Sequence, residues 1–335
     1  MTSRARTVVV DGLVSTIIPV SNRPVLLREA VESVLRQAYR PVEVIVVDDG
    51  STDATGAVAD ALAGDYPDEV RAIHQANRGP GLAREAGRRI ARGEYIQYLD
   101  SDDVLLPGKF ELQVSGLRAH PDCGVSYGKT RYVTAGDRPW KRTGEKIEMM
   151  FPAFLQSRWW DTSTPLYRRR VVDDAGPWAA LWQEEDWEYD CRVASRGIRL
   201  HYCSEFVSET RALDPARLSG DYHGTARTLQ DRATAHRLIF GHAQKAGIGP
   251  EVREMQHFAR ELFLLARRCG AAGLPQEAET LFRLARAASG SERGNGLDFR
   301  CYDSLASLLG WEWAGRIACF TDRLRPGSRF VSRAG

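Results

Sequence analysis

Long apolar runs are missing from this 335-residue chain. A membrane-spanning helix needs about 18 to 20 consecutive apolar residues, and no stretch approaches that length, so no bilayer crossing is expected. A surplus of either charge is missing too: 46 Lys and Arg stand against 44 Asp and Glu, a net of +2. Dedicated nucleic-acid binders carry a strong basic excess, and that class is set aside. Cysteine is sparse. Cys123, Cys191, Cys203, Cys269, Cys301 and Cys319 are scattered without a Cys-x-x-Cys pair, which points to thiols in a reducing cytoplasm rather than a disulfide framework or a zinc site. The seven histidines lack His-Glu-x-x-His spacing, so zinc hydrolysis loses its usual signature. Met1–Arg6 is basic, but Val8–Val10 gives way to Asp11 and Gly12, too short for the apolar core of a secretory leader. Phosphate-cradling loops are also lacking. No Gly-Lys-Ser/Thr occurs, and Gly79-Pro80-Gly81 follows a third strand and has Arg84 where a dinucleotide fingerprint needs glycine.

What is present reads as a globular protein of roughly two domains at about 150 residues each. The first hundred residues alternate strand and helix. Val14–Val20 and Val42–Val47 are buried runs, and Val70–His74 and Tyr95–Leu99 are shorter ones. Helical spacing covers Val25 to Gln37, a segment from the cap residues Ser51-Thr52-Asp53 to about Leu62, and about Leu82–Ala91. Such alternation predicts a mainly parallel sheet with helices on both faces. Ligands bind such sheets beyond the carboxyl ends of the strands. Here those ends carry Ser21-Asn22, Asp48-Asp49 and Asp100-Ser101-Asp102-Asp103.

Beyond residue 105 the pattern changes. A helix from Pro107 to about His120 precedes strand-like Gly124–Val133, a polar loop Thr134–Lys146 and an aromatic stretch from Phe151 to Trp160. Thr164–Tyr167 and Arg199–Tyr202 read as strands around a helix from Gln183 to Arg196. From about Gly224 only helices are predicted, at Leu262–Arg268, Glu277–Ala288 and Tyr302–Leu324. These shifts divide the chain at 14–105, 106–223 and 224–335.

Each acidic motif has two readings. Asp100-Ser101-Asp102-Asp103 could cap a following helix. Alternatively, its carboxylates, which repel unless compensated, could hold Mg²⁺ or Mn²⁺ against a diphosphate; placement straight after a buried strand favours the cation. Asp48-Asp49-Gly50-Ser51 could be a strand-to-helix turn or give a carboxylate to a nucleotide. Arg78 and Arg84 flank the glycine turn, where they either meet phosphate or line a solvated basic face. Glu184-Glu185-Asp186-Trp187 is either the acidic first turn of a helix or a general base, Asp186, with acidic neighbours that raise its pKa. Trp140, Trp159, Trp160, Trp178 and Trp182 are candidate sugar platforms or core. The stretch Leu305–Leu324, with Leu308, Leu309, Trp313 and Phe320, either packs on the helices before it or lies on a membrane, with Arg316, Arg323, Arg325 and Arg329 near acidic lipid.

Taken in order, Ile17-Ile18-Pro19-Val20-Ser21-Asn22-Arg23, Ile45–Asp53, Asn77-Arg78-Gly79, Gly93-Glu94-Tyr95-Ile96 and Leu99–Asp103 resemble glycosyltransferase family 2. With Glu185-Asp186 the resemblance covers residues 14–215. For that part it implies an α/β, A-type glycosyltransferase fold, ahead of the helical region read from the sequence, and inverting, metal-dependent transfer of one sugar from a nucleotide-diphosphate donor, commonly a UDP-sugar, to a saccharide or glycolipid. Residue by residue, Pro19 and Ser21 would line the base pocket, Asp49 would meet the uracil and Asp48 would support its loop. Asp102 and Asp103, with Asp100 nearby, would hold metal, ribose and diphosphate, and Asp186 would be the base. The chain departs from many members at Ala83-Arg84-Glu85, where they carry Ala-Arg-Asn. It also lacks the Gln-x-x-Arg-Trp of processive synthases, and Arg211 is followed by Asp214 and His223 rather than by a clear Arg–His pair. A sugar-nucleotide pyrophosphorylase would want a Gly-rich loop after the first strand, which Pro19-Val20-Ser21-Asn22 is not. A catalytically degenerate binding module is the remaining alternative.

Overall fold

The computed structural model describes residues 8–134, 140–141, 145–212 and 225–324. The chain divides into two compact units: Met1–Met150, Trp159–Tyr189 and Arg196–Ala216 form one, and Phe151–Arg158, Asp190–Ser195 and Arg217–Gly335 the other.

The first unit is built on one mixed sheet. Its strands are β1 (Val10–Val20), β2 (Val42–Asp49), β3 (Val70–Gln75), β4 (Gly93–Tyr98), β5 (Asp103–Leu105), β6 (Cys123–Thr134), β7 (Trp140–Lys141), β8 (Leu166–Arg168) and β9 (Arg199–Ala212). They run in the order β3-β2-β1-β4-β8-β6-β9-β5, with β7 beside β6. The β3-β2-β1-β4 half is parallel, as the alternation of strands and helices predicts. The other half is not: β8 runs antiparallel to β4 and β6, and β5 runs antiparallel to β9, while β6 and β9 are parallel. A sheet made only of strand–helix–strand crossovers stays parallel. This one departs from that where short strands return without a crossover.

Helices cover both faces. Against one face pack α1 (Pro24–Leu35), α2 (Thr55–Asp65) and α4 (Lys109–Ala119), where Leu27, Val31, Leu62, Phe110 and Val114 meet Val14, Ile18, Val44 and Val46 in a continuous core. The other face carries α3 (Pro80–Ile90), pressed against Ile17 and Val47. The same unit contains α5 (Arg169–Ala175) and the first turns of α6 (Glu185–Ala194). The capping expectations hold only in part. Helix α2 starts at Thr55, whose N–H donates to Asp53 Oδ1 at 2.9 Å, while Ser51 and Thr52 are engaged by Asn22 instead. Asp100–Asp103 leads into the strand β5, and no helix begins before Lys109, so the acidic turn caps nothing.

In the second unit, α7 (Ala226–Lys245), α8 (Arg253–Ala271), α9 (Pro275–Arg293) and α10 (Leu297–Leu324) follow one another. Helix α7 escaped the sequence reading because polar residues interrupt its apolar stripe: Leu229, Ala233, Ile239, Phe240 and Ala243 are buried with His236 and His242 among them. Phe263, Phe282, Phe299, Tyr302 and Trp311 form an aromatic core in this unit. Helices α8 and α10 cross with backbones nearly touching, so that a Cβ on Gly315 would run into the α8 backbone. Gly315→Leu is therefore expected to cost about 1–3 kcal/mol through overpacking, read as a lower urea midpoint of tryptophan fluorescence.

Candidate active site

Three loops meet at the carboxyl ends of β1, β2 and β3. Asn22 adopts a left-handed backbone, φ 55°, a conformation asparagine tolerates better than most residues. Its N–H donates to Ser51 Oγ at 2.9 Å, and its Oδ1 accepts from Thr52 N–H at 2.8 Å. Pro19 is buried in register with Val47, and Ser21 is half-buried just beyond it. Asp48 accepts from Ser51 N–H at 3.1 Å and faces His74 Nδ1 at 2.9 Å. Burial alone would raise its pKa; the Ser51 and His74 hydrogen bonds outweigh that and hold it below the usual carboxylate range. His74 Nε2 lies 2.9 Å from Asp60, and the bonds to Asp48 and Asp60 together raise the imidazole pKa above 6.5.

Asp49 is buried as well. Its Oδ1 accepts from Gln75 Nε2 (2.7 Å) and Arg78 N–H (2.9 Å), and its Oδ2 accepts from Gly79 N–H (2.8 Å). The expected division, with Asp49 on the base and Asp48 on the loop, meets a geometry in which both carboxylates brace loops. The Arg78 side chain is exposed. Gly79 has φ 89°, and a Cβ there would lie 2.9 Å from the Trp182 ring. The glycine turn is thus shaped for that indole, not as a phosphate cradle.

The acidic turn after β4 lies in the same unit. Asp103 N–H closes it on the Asp100 carbonyl at 3.0 Å. Its three carboxylates diverge. Asp100 takes Arg84 Nη2 at 2.6 Å, and Asp102 takes Arg23 Nη1 at 2.9 Å. Asp103 is buried, its Oδ2 accepting from Ser163 Oγ at 2.6 Å and Thr210 Oγ1 at 3.1 Å. Burial first, and then the charges of Asp102, Asp100 and Asp161, push the Asp103 pKa well above the ordinary value. Arg84 does not reach out toward phosphate as the sequence suggested. It is buried, spans Asp100 and Glu185 Oε1 (also 2.6 Å), and lies 4.9 Å over the Trp178 ring. Glu85 binds Arg88 and Arg89.

Asp186 stands at the start of α6, half-buried. Its Oδ1 accepts from Trp187 N–H at 2.7 Å, and its Oδ2 lies 3.4 Å from Thr162 Oγ1. Beside it Glu185 is pushed up to about 7, by burial and then by Asp186, against the pull of Arg84. Consecutive residues thus reach both acidic groups: Thr162 touches Asp186 and Ser163 touches Asp103. Thr164 holds this loop down through its carbonyl, which accepts from buried Lys109 Nζ at 2.6 Å and Gln113 Nε2 at 3.0 Å. Burial lowers the Lys109 pKa to about 7. Sequence reasoning passed over Thr162, Ser163, Lys109 and Thr210. The signal available was the polar run Asp161-Thr162-Ser163-Thr164 just after an aromatic stretch.

Of the tryptophans, Trp160 and Trp178 are core, the latter stacked on Tyr189 at 4.0 Å, while Trp159 and Trp182 are half-exposed. The Trp140 side chain, Asp214 and His223 lie outside the described residues. Arg211 pairs with Glu29 and with Glu209. Among the described residues no three His, Cys, Asp or Glu side chains form a metal cage. A diphosphate-bridging cation needs fewer, since Mg²⁺ typically takes one or two carboxylates and fills its sphere with phosphate and water. Half-buried Asp102, a hard oxygen donor among other carboxylates, suits that demand. Asp103, turned inward onto two hydroxyls, suits a supporting place better than the ligand position expected of it.

Residues 15–171 match the family model described as Glycosyl transferase family 2. That stretch is a family 2 glycosyltransferase domain. An uncharacterized glycosyltransferase of Rickettsia felis is 42% identical over 151 residues, covering 45% of this chain and 23% of its own. S. aureus TarS 1-349, solved in complex with UDP-GlcNAc, superimposes with a TM-score of 0.64 at 19% identity over 89% of this chain and 92% of TarS 1-349. The mannosyltransferase PcManGT from Pyrobaculum calidifontis, solved with GDP-Man and Mn²⁺, gives 0.50 at 20% identity over 93% of this chain and 86% of its own. The fold is of the A-type glycosyltransferase kind, with a helical region after it. The chain spans less than two thirds of the length of the curated relatives it matches.

Two outcomes follow for this site. Arg84→Met strips the partner from buried Glu185 and Asp100, and loss of one member of a buried pair costs about 3–5 kcal/mol; the urea midpoint should fall accordingly, with Arg84→Lys between the two. A raised His74 pKa means that its clamp stabilises the fold fully below the ordinary 6.5 and is lost as pH rises through the folded value. His74→Gln should therefore lower the urea midpoint more at about pH 5.5 than at about pH 8.5.

Proposed function

We propose that this chain is an inverting glycosyltransferase that moves one sugar per event from a nucleotide-diphosphate donor, a UDP-sugar, to the hydroxyl of a saccharide or glycolipid acceptor. One observation carries the reading: the buried Arg84 guanidinium ties Asp100 of the donor-side turn to Glu185, the neighbour of Asp186, at 2.6 Å each. A single cation thereby fixes the acidic turn and the start of α6 relative to one another. We assign donor binding to residues 14–105 and acceptor binding to 106–223 of one catalytic domain, which the helical region 224–335 follows. Six free cysteines suit a reducing, cytoplasmic setting.

In this reading Pro19, Ser21 and the Asp48–Asp49 loop form the base side of the donor pocket, and Arg78 lies open at its edge. Asp186 Oδ2 takes the proton of the acceptor hydroxyl, while Oδ1 stays fixed by the Trp187 N–H. The acceptor oxygen bonds to the anomeric carbon as the bond to the diphosphate oxygen breaks, in one in-line step that inverts the centre. Buried Glu185, carrying a proton more readily than an ordinary carboxyl, limits negative charge beside the base. Asp102 would hold Mg²⁺ or Mn²⁺, with Asp100 and Asp103 supporting the turn, and a cation bound there supplies neutralisation of the departing diphosphate. The Mn²⁺ in the PcManGT complex and the UDP-GlcNAc in the TarS complex support this choice of metal and donor.

Asp186→Asn should keep UDP affinity while losing transfer by about 10²-fold or more, the size of a general-base contribution; unchanged turnover in that variant removes Asp186 from the mechanism. Chelation with EDTA should abolish transfer and added Mn²⁺ or Mg²⁺ restore it, measured as UDP release from a panel of UDP-sugars. Full activity in chelator would leave the acidic turn with another purpose.

A further inference from the structure

Helix α10 is broken at Gly310, φ 81° and ψ 159°, and carries exposed apolar residues on both sides of the break. Leu308 is 82% exposed and Leu309 49% before it, and Trp313 57%, Ile317 38% and Phe320 61% form a ridge after it. Positions 313, 316, 317 and 320 recur at the spacing of one helical face. The ridge is not the packing face. That role belongs to the opposite side, where Trp311 meets Phe282 at 5.2 Å, Ala314 and Ala318 are buried, and Gly315 abuts α8. The helix is thus amphipathic in an unusual sense, with apolar side chains both inward and outward. No described helix is long and apolar enough to cross a membrane.

Charge on the described part of α10 is paired, and the surplus of cations stands in the sequence after it. Arg316 lies in the middle of the ridge, its guanidinium 5.1 Å over the Trp313 ring. The two nearby carboxylates are each held by an arginine, Glu312 by Arg316 and Asp322 by Arg267, both at 2.6 Å. After Asp322 the sequence carries Arg323, Arg325, Arg329 and Arg333 with Phe330 and Val331, and neither Asp nor Glu. Apolar side chains that include a tryptophan, followed in sequence by a run of arginines, match the chemistry of an anionic lipid surface, where rings and alkyl chains enter the headgroup layer and guanidinium groups meet phosphate. A second copy of this chain would bring the same positive charge against it, which disfavours a self-pairing face.

We propose that the outward face of the α10 segment after Gly310, Trp313 to Phe320, docks on anionic lipid, with Leu308 and Leu309 just before the break adding apolar surface and the arginines after Asp322 adding electrostatic attraction. The inference stands apart from the catalytic reading and holds whatever sugar is moved. Its test is flotation of the full chain with phosphatidylcholine vesicles, with and without about 30% phosphatidylglycerol. The chain should float with the anionic vesicles at least about tenfold more strongly than with neutral ones, and about 0.5 M salt should release most of it. The pair Trp313→Asp and Phe320→Asp should weaken binding by about tenfold or more while the thermal melt stays put, because both side chains are already in water. If that pair disturbs folding, Leu308→Ser and the triple change Arg325→Gln, Arg329→Gln, Arg333→Gln serve in its place, each with a smaller loss. Recovery only in the soluble fraction, or flotation insensitive to every one of these changes, overturns the proposal. So does a wild-type dimer that the aspartate pair dissociates and that ignores vesicles, an outcome that makes the ridge a contact between copies.

Discussion

A carboxylate withdrawn from water survives only if a cation or a set of donors replaces the water it gave up. The first unit of this protein is organised around that constraint. Asp48, Asp49 and Asp103 at the carboxyl ends of the strands, and Glu185 at the start of α6, are all buried. Arg84 is the most consequential compensator. From a central position on α3 its planar fork reaches Asp100 on one side and Glu185 on the other. Lysine offers a point charge and could not span both in the same manner. Asp103 is answered by hydroxyls rather than charge, and Asp49 by two backbone N–H groups and an amide. Four carboxylates are thus given three different kinds of partner, a guanidinium, hydroxyls and amide N–H groups.

That arrangement couples the loops of the site. The loop Asp161–Thr164 touches both Asp186 and Asp103 through neighbouring hydroxyls, and its own position depends on Lys109 and Gln113 inside α4. Lys109 is an ammonium in the core with a carbonyl as its partner, which is why burial pulls its pKa down so far. The first loop is tied in the same way, since Arg23 pairs with Asp102 while its backbone N–H donates to Thr55 at the start of α2. Residues far apart in sequence therefore hold the acidic turn from several directions at once, so its geometry is set before any donor arrives. Preorganised charge is the usual means by which enzymes stabilise a developing anion.

The second unit uses different physics. Its helices close on an aromatic core and a glycine-mediated crossing of α8 and α10, and its buried Asp190 is paired with Arg158 at 2.8 Å. Beyond Trp311, helix α10 turns Ala314, Gly315 and Ala318 inward, where close approach is needed, and Trp313, Ile317 and Phe320 outward. Packing alone has no use for that choice.

The sequence by itself determined a good deal. Runs of Val and Ile ending at Asp or Ser-Asn placed the parallel strands β1 to β4 within a few residues, because burial on both faces leaves an unbroken apolar signature. The order of the acidic motifs also carried the family resemblance. Tertiary structure alone decided the rest. Strand β5 is three residues, too short for a period to show. Thr164–Tyr167 reads as a strand where β8 lies, but an apolar run does not state its direction, so the antiparallel half of the sheet was not legible. Arg84 looked like a surface cation among the arginines of α3 until the fold buried it between two carboxylates. Asp48 and Asp49 are chemically identical and adjacent, yet one meets an imidazole and the other a pair of backbone N–H groups. Local sequence states which groups are present, but their partners arrive from as far as Glu185, 101 residues from Arg84, and only the folded chain brings such groups within hydrogen-bonding distance.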